Sequence, residues 1–175
     1  MTSFVSGEGK TLNCYAFAQS LAVSGLRVGI VGADPRTLRH MMRSFPNTPR
    51  TVRKFVTPLD SHEVDVDVFA NEYNVDLIPL SDKGGQRLEL YKVGSFPLFI
   101  EGLKNEYDVI LIDGPAILVD VDSLMMARYV DKLILTVRYR STSAGKIREG
   151  LRKLEVHKAS ESGFLLSGVP EPRGR

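Results

Sequence analysis

Three features of the 175-residue sequence predict an α/β fold, a three-layer sandwich with helices on both faces of a mostly parallel sheet. Short apolar runs alternate with segments of helical spacing along the chain, as parallel strands joined by crossover helices do. The run YDVILIDGP, residues 107–115, has strand length, is apolar enough to be buried on both faces, and ends in an acid and a turn. Close to the start, TSFVSGEGKT places a glycine-rich turn directly before a helical segment, the strand–loop–helix unit of such folds.

The bulk composition sets the frame. With 43% hydrophobic and 25% charged residues, the chain is expected to bury one core, as a single domain over 1–175. A formal charge of +2 gives no global field toward nucleic acid, so none is expected as a partner. Cys14 is the only cysteine, which excludes an internal disulfide and a cysteine-rich metal site and fits a reducing compartment, the cytoplasm. The longest apolar runs are short and carry internal Asp, so they do not span a bilayer, and MTSFVSGEGK has no apolar stretch of the secretory type.

Taken in order, residues 11–24 read as a helix, with Leu12, Tyr15, Ala16, Leu21 and Val23 among small residues and Gly25 placed to end it. RVGIVGAD is a short strand closed by a turn. Residues 41–58 contain three prolines and no sustained period, which predicts an irregular excursion with one short helix. EVDVDVF alternates as a half-buried edge strand would, VDLIPL is a further strand, and SDKGGQR is a turn. Residues 88–105 are expected to form two helical pieces around Gly94 and Pro97. DSLMMARYV is helical, DKLILTV a strand, 141–158 an amphipathic helix and GFLLSGV a last strand.

The opening stretch carries the chemistry. A phosphate-binding loop needs glycines so that backbone amides approach the anion, then a Lys whose long stem reaches the outer phosphates, then a hydroxyl that ligates magnesium. Gly7, Gly9, Lys10 and Thr11 supply these in order, and the helix that follows adds its N-terminal dipole. The first glycine of the full GxxxxGK[ST] pattern is replaced by Phe4. Asp113, at the end of the 107–113 run, puts a carboxylate at the C-terminal edge of the sheet, where a magnesium ion beside such a loop belongs. Its plainer role is to cap the turn before Pro115. The two elements together predict a P-loop NTPase fold.

On these residues the chain resembles the bacterial tyrosine kinases of capsule and exopolysaccharide synthesis, within the deviant-Walker class that includes ParA and MinD-like ATPases. TSFVSGEGKT is similar to the kinase loop, which also lacks the first glycine, with Ser6 in place of the usual Pro. RVGIVGADPR resembles the Walker A′ strand and YDVILIDGPA the Walker B strand, and DSLMMARYVDKLILTVR resembles the helix and strand that follow. The signature Lys of the MinD and ParA branch is here Val5, which favours the kinase branch. The resemblance implies ATP and Mg2+ as cofactors. ATP would be held by Ser6, Gly7, Glu8, Gly9, Lys10, Thr11, Leu12 and Arg36, and the metal by Thr11 and Asp113. Lys10, Asp34 and Asp113 would act in phosphoryl transfer. Asp34 could equally cap the turn before Pro35, and Arg36 could be a surface residue.

The pattern breaks at several points. The first Asp of Walker A′ is Gly32, and losing a carboxylate that acts in the transition state costs about 100-fold to 10,000-fold in rate while leaving phosphate binding intact. The kinases' tyrosine cluster near the C-terminus has no counterpart after Tyr139, so an acceptor tyrosine is expected in another chain. The strand entering the loop is expected to be truncated, only Thr2 to Val5 preceding the turn, which would expose neighbouring edges and loosen the loop. Ser167 stands where the family has an Asn near the adenine.

Three readings follow from the resemblance. The first is an ATP-binding tyrosine autokinase-like module of capsule or exopolysaccharide biosynthesis with impaired turnover. The second is a catalytically degenerate regulatory module of a polysaccharide export complex, and the third a ParA/MinD-like ATPase. The implied partners are a membrane polysaccharide chain-length or export protein, a longer parent chain, or further copies of the chain, at the inner face of the bacterial membrane.

Other clusters point elsewhere only weakly. His62, Glu63, Asp65 and Asp67 alternate with valines as one wet face of a strand does. Lys146, Arg148, Arg152, Lys153 and Lys158 surround an Ile147, Leu151, Leu154 stripe, a solvated helix face or a surface for an anionic partner. Cys14 sits between apolar neighbours as a structural thiol does.

Overall fold

A computed structural model describes residues 1–34, 50–57, 62–70, 74–80, 95–159 and 162–171. It divides into two compact units, one of Met1–Leu12 with Gly114–Arg175 and the other of Asn13–Asp113.

The first unit is built on a parallel three-stranded sheet ordered β1-β7-β8, with β1 at Thr2–Ser3, β7 at Leu133–Arg138 and β8 at Ser162–Ser167. Between β7 and β8 the chain crosses over through a helix at Ala144–Val156, named α4 below in chain order, whose N-cap Ser143 accepts from the Lys146 amide. A short helix, α3, spans Asp122–Met126. Phe4, Ile117, Leu124, Leu133, Leu135, Val137 and Leu154 form the core of this unit. Strand β1 has only two residues, as expected, yet it is held along both edges. It pairs with β7 on one side, and on the other the carbonyls of Met1, Ser3 and Phe4 accept from the amides of Gly114, Ile117 and Leu118 at 2.9, 2.8 and 3.1 Å. The far edge of β1 is therefore closed by residues 114–118, which satisfies carbonyls of the short strand that would otherwise be stranded.

The second unit carries a five-stranded sheet ordered β3-β4-β5-β2-β6. Its strands are β2 at Val28–Gly32, β3 at Arg50–Thr57, β4 at His62–Ala70, β5 at Val75–Pro79 and β6 at Val109–Asp113. The β5-β2-β6 part is parallel and the β3-β4-β5 part antiparallel. All five residues of β2 are buried, which is what an uninterrupted apolar run between two parallel neighbours gives. A second helix, α2, spans Ser95–Leu103. The Tyr107 ring lies flat against β2, 3.2 Å from where a Cβ of Gly29 would stand, and its hydroxyl donates to Asp76 Oδ2 at 2.8 Å.

The first helix, α1, spans Lys10–Val23. It ends as expected at Gly25, whose φ of 89° accompanies bonds from the Gly25 amide to Ala22 O and from the Leu26 amide to Leu21 O, a Schellman closure. Cys14 is buried, as expected of a structural thiol.

Two sequence expectations are corrected in the second unit. Residues 50–57 are not irregular but form β3, paired along its whole length with β4 from Arg50↔Phe69 to Thr57↔His62. Pro49 and Pro58 bound this strand instead of interrupting it, and the Thr and Val residues between them suit a pleated surface. In consequence β4 is not an edge strand, since β3 lies outside it. The rest of 41–58, the SDKGGQR turn and the first piece of 88–105 lie outside the described residues.

Candidate functional site

Residues 4–9 form the loop between β1 and α1. Gly7 and Gly9 have φ of 84° and 86°, the left-handed region in which a glycine is unstrained, so the glycines of the motif are required by backbone shape. Alternation through such conformations turns successive amides toward one concavity, the backbone nest that receives anions. Lys10 and Thr11 open α1, both partly buried, and Ser6 is exposed. Leu12 follows with its side chain 72% exposed.

Glu8 departs from its neighbours. It is 2% exposed, and its carboxylate accepts from the Val5 amide at 2.8 Å, from the Thr142 hydroxyl, and from the Arg138 amide at 3.5 Å. Its backbone carbonyl accepts from Ser167 Oγ at 2.6 Å, while the Gly7 carbonyl accepts from Arg138 Nη1 at 3.0 Å. The sequence counted Glu8 as a ligand contact through its position in the loop. The structure uses its side chain to hold the loop's own backbone. Arg138, Thr142 and Ser167 were not legible as partners of the loop, because residues more than a hundred positions away share no local spacing with it.

The other expected residues gather in the second unit. Parallel pairing of β2 with β6 sets Gly32 directly opposite Asp113. Asp113 is fully buried, Asp34 is 2% exposed, and the Asp113 carbonyl accepts from the amides of Ala33 and Asp34 at 3.1 and 3.3 Å. Asp113 thus ends β6, Asp34 lies just beyond the end of β2, and Gly32, which lacks a side chain, is in register with Asp113. Arg36 lies outside the described residues. Among the described residues no group of three or more His, Cys, Asp or Glu is gathered as a metal would need.

No protein-family model matches the chain. It is 28% identical over 172 residues to the tyrosine-protein kinase CpsD of Streptococcus agalactiae serotype III, a match covering 97% of this chain and 71% of CpsD. The kinase domain of Escherichia coli tyrosine kinase ETK superposes with a TM-score of 0.77 at 20% identity, over 99% of this chain and 68% of that one. The VpsO kinase domain does so at 0.73 and 26% identity, over 97% and 83%. A cobyrinic acid a,c-diamide synthase from Mycobacterium smegmatis, solved with bound ADP and magnesium, has a TM-score of 0.66 at 18% identity over 93% and 69%.

The architecture is that of the P-loop NTPases. Within that class, CpsD and the VpsO kinase domain, each matched over 97% of this chain, are tyrosine-kinase sequences, as the loop and the two strand motifs implied. No helix among the described residues is long and apolar enough to cross a membrane.

Proposed function

We propose that this chain binds MgATP and is a tyrosine autokinase-like module of capsule or exopolysaccharide biosynthesis in which phosphoryl transfer is slowed. The observation that carries the proposal is the left-handed Gly7 and Gly9 pair at the head of α1, in a chain similar to CpsD. Gly7, Gly9 and the amides opening α1 receive the phosphates, Lys10 reaches the outer ones, and Thr11 and Asp113 supply the magnesium donors. When bound, the metal neutralises charge on the transferred phosphoryl group. Asp34 and Arg36 serve the Walker A′ end. Gly32 leaves the position of the first Walker A′ carboxylate without a side chain, which affects transfer and leaves phosphate binding in place. The module works in the cytoplasm at the inner face of the membrane, with a polysaccharide chain-length or export protein, or a longer parent chain, as partner.

Calorimetric titration of MgATP into the purified protein, with Lys10→Ala as control, tests the reading. Saturable binding that the substitution abolishes is expected. Absence of binding by the unsubstituted protein would overturn it, and the regulatory reading would have to stand without nucleotide.

A further inference from the structure

The hydrogen bonds that hold the loop from behind have a directional consequence. In a planar trans peptide the C=O and the N–H point to opposite sides. The Gly7 carbonyl is tied to the Arg138 guanidinium at 3.0 Å, so the amide of the same peptide, that of Glu8, points the other way. The Glu8 carbonyl is tied to Ser167 Oγ at 2.6 Å, so the Gly9 amide points away from Ser167. At the start of the loop the same logic closes on itself: the Phe4 carbonyl accepts from the Leu118 amide, and the Val5 amide of that peptide turns to the Glu8 carboxylate at 2.8 Å.

We infer that Glu8, Arg138, Thr142 and Ser167 are positioning residues that aim the Glu8 and Gly9 amides at the phosphates. This inference rests on the phosphate-binding reading above. The Glu8 carboxylate is the hub, since it ties the loop at Val5 to the turn after β7 through the Thr142 hydroxyl and the Arg138 amide. Buried at 2% exposure and engaged by three donors, it keeps its negative charge turned into the protein and away from the anion that the loop receives. Ser167 closes the arrangement from the end of β8, and its carbonyl in turn accepts from the Tyr139 amide at 2.9 Å, so the turn after β7 and the end of β8 act on the loop as one support. A loop ordered before the ligand arrives binds it without the entropy cost of ordering.

The test compares MgATP with magnesium tripolyphosphate, which has phosphates and no base, in calorimetric titrations of four variants. Thr142→Val and Ser167→Ala are each expected to weaken both ligands about tenfold, the effect of losing one hydrogen bond to a charged or strongly polar partner. Thr142→Ser, which keeps the hydroxyl, is expected to restore Thr142→Val to near the parent affinity. Arg138→Met, at an exposed side chain, is expected to do the same as Ser167→Ala and guards against variants that fail to fold. In the free protein, amide hydrogen exchange at Glu8 and Gly9 should quicken in the weakened variants. Loss for MgATP with tripolyphosphate unchanged would place Ser167 on the base and overturn the inference. Unchanged affinity for both ligands in all variants would also overturn it while leaving phosphate binding intact. Failure of the unsubstituted protein to bind either ligand would instead overturn the phosphate-binding reading itself.

Discussion

A Cβ added at Gly150 would lie 2.2 Å from Cδ1 of Phe4. Phe4 occupies the position at which the full phosphate-loop pattern has its first glycine, is fully buried, and also stacks on Phe164 with ring centroids 6.4 Å apart. A bulky ring at the mouth of the loop is accommodated because α4 presents a residue without a side chain. The missing glycine of the motif thus has a counterpart in a glycine of a different element, and the loop is anchored in the core instead of resting on its surface.

Gly150→Ala is therefore expected to destabilise the protein. In a solvated helix the change would add about 1 kcal/mol of stability through helix propensity. Here the added methyl meets a buried ring at less than contact distance, and overpacking of that kind costs about 1–3 kcal/mol. Equilibrium urea unfolding should show the loss. Combining Gly150→Ala with Phe4→Leu should cost less than the sum of the two single changes, because the smaller side chain makes room for the methyl.

Thr136→Val is expected to act in the opposite direction. Thr136 is fully buried in β7, and its Oγ1 has no hydrogen-bond partner among the described residues. Valine keeps the branched shape and removes a hydroxyl whose desolvation is uncompensated, so a gain of about 1 kcal/mol is expected. A lower urea midpoint in the variant would show that the hydroxyl is bonded.

The sequence was informative where the pattern is local. Strands β2 and β6 were legible because parallel strands buried on both faces read as unbroken apolar runs, and α4 because Ile147, Leu151 and Leu154 recur at helical spacing. The phosphate loop was legible because its residues follow one another in a fixed order. Strand β3 was missed because Pro46, Pro49 and Pro58 were read as punctuation throughout, although two of them only mark its ends. The support behind the loop was missed for a different reason. Glu8 meets Thr142 across 134 positions and Ser167 meets Glu8 across 159, and at such separations only the fold creates the contact.

The pH dependence of stability should contain a small acid component from Asp108. Its carboxylate accepts from Arg27 Nε at 3.2 Å, Nη2 at 2.8 Å and the Arg27 amide at 2.8 Å. The guanidinium hydrogen bonds lead, with the amide next, in lowering its pKa from 3.8 to about 2. Because the folded value lies below the unfolded one, the contribution is complete above about pH 4 and is lost as pH falls toward 2. The pair is exposed, so the effect is small and weakened by salt. Asp108→Asn should flatten the stability profile between pH 4 and 2 and change it little near neutrality. Acid unfolding followed at two salt concentrations checks this, and an unchanged profile in the variant would show that the pair contributes nothing.

The sharpest prediction concerns Gly32. Its register places it opposite Asp113 on the neighbouring strand, so Gly32→Asp adds a carboxylate beside one that is already buried. Without a cation the two negative charges repel and desolvate each other, and the variant should unfold at lower urea than the parent. With MgATP the same carboxylate supplies the missing Walker A′ group, and phosphoryl transfer should rise by about 100-fold or more. The two effects have opposite sign in one variant, which separates them from general damage. Measurement of urea midpoints with and without MgATP, alongside phosphate transfer to a tyrosine-containing acceptor, reads both. Lower stability together with unchanged transfer would mean that Gly32 is not what limits turnover, and the degenerate regulatory reading would then be favoured over that of a slowed kinase.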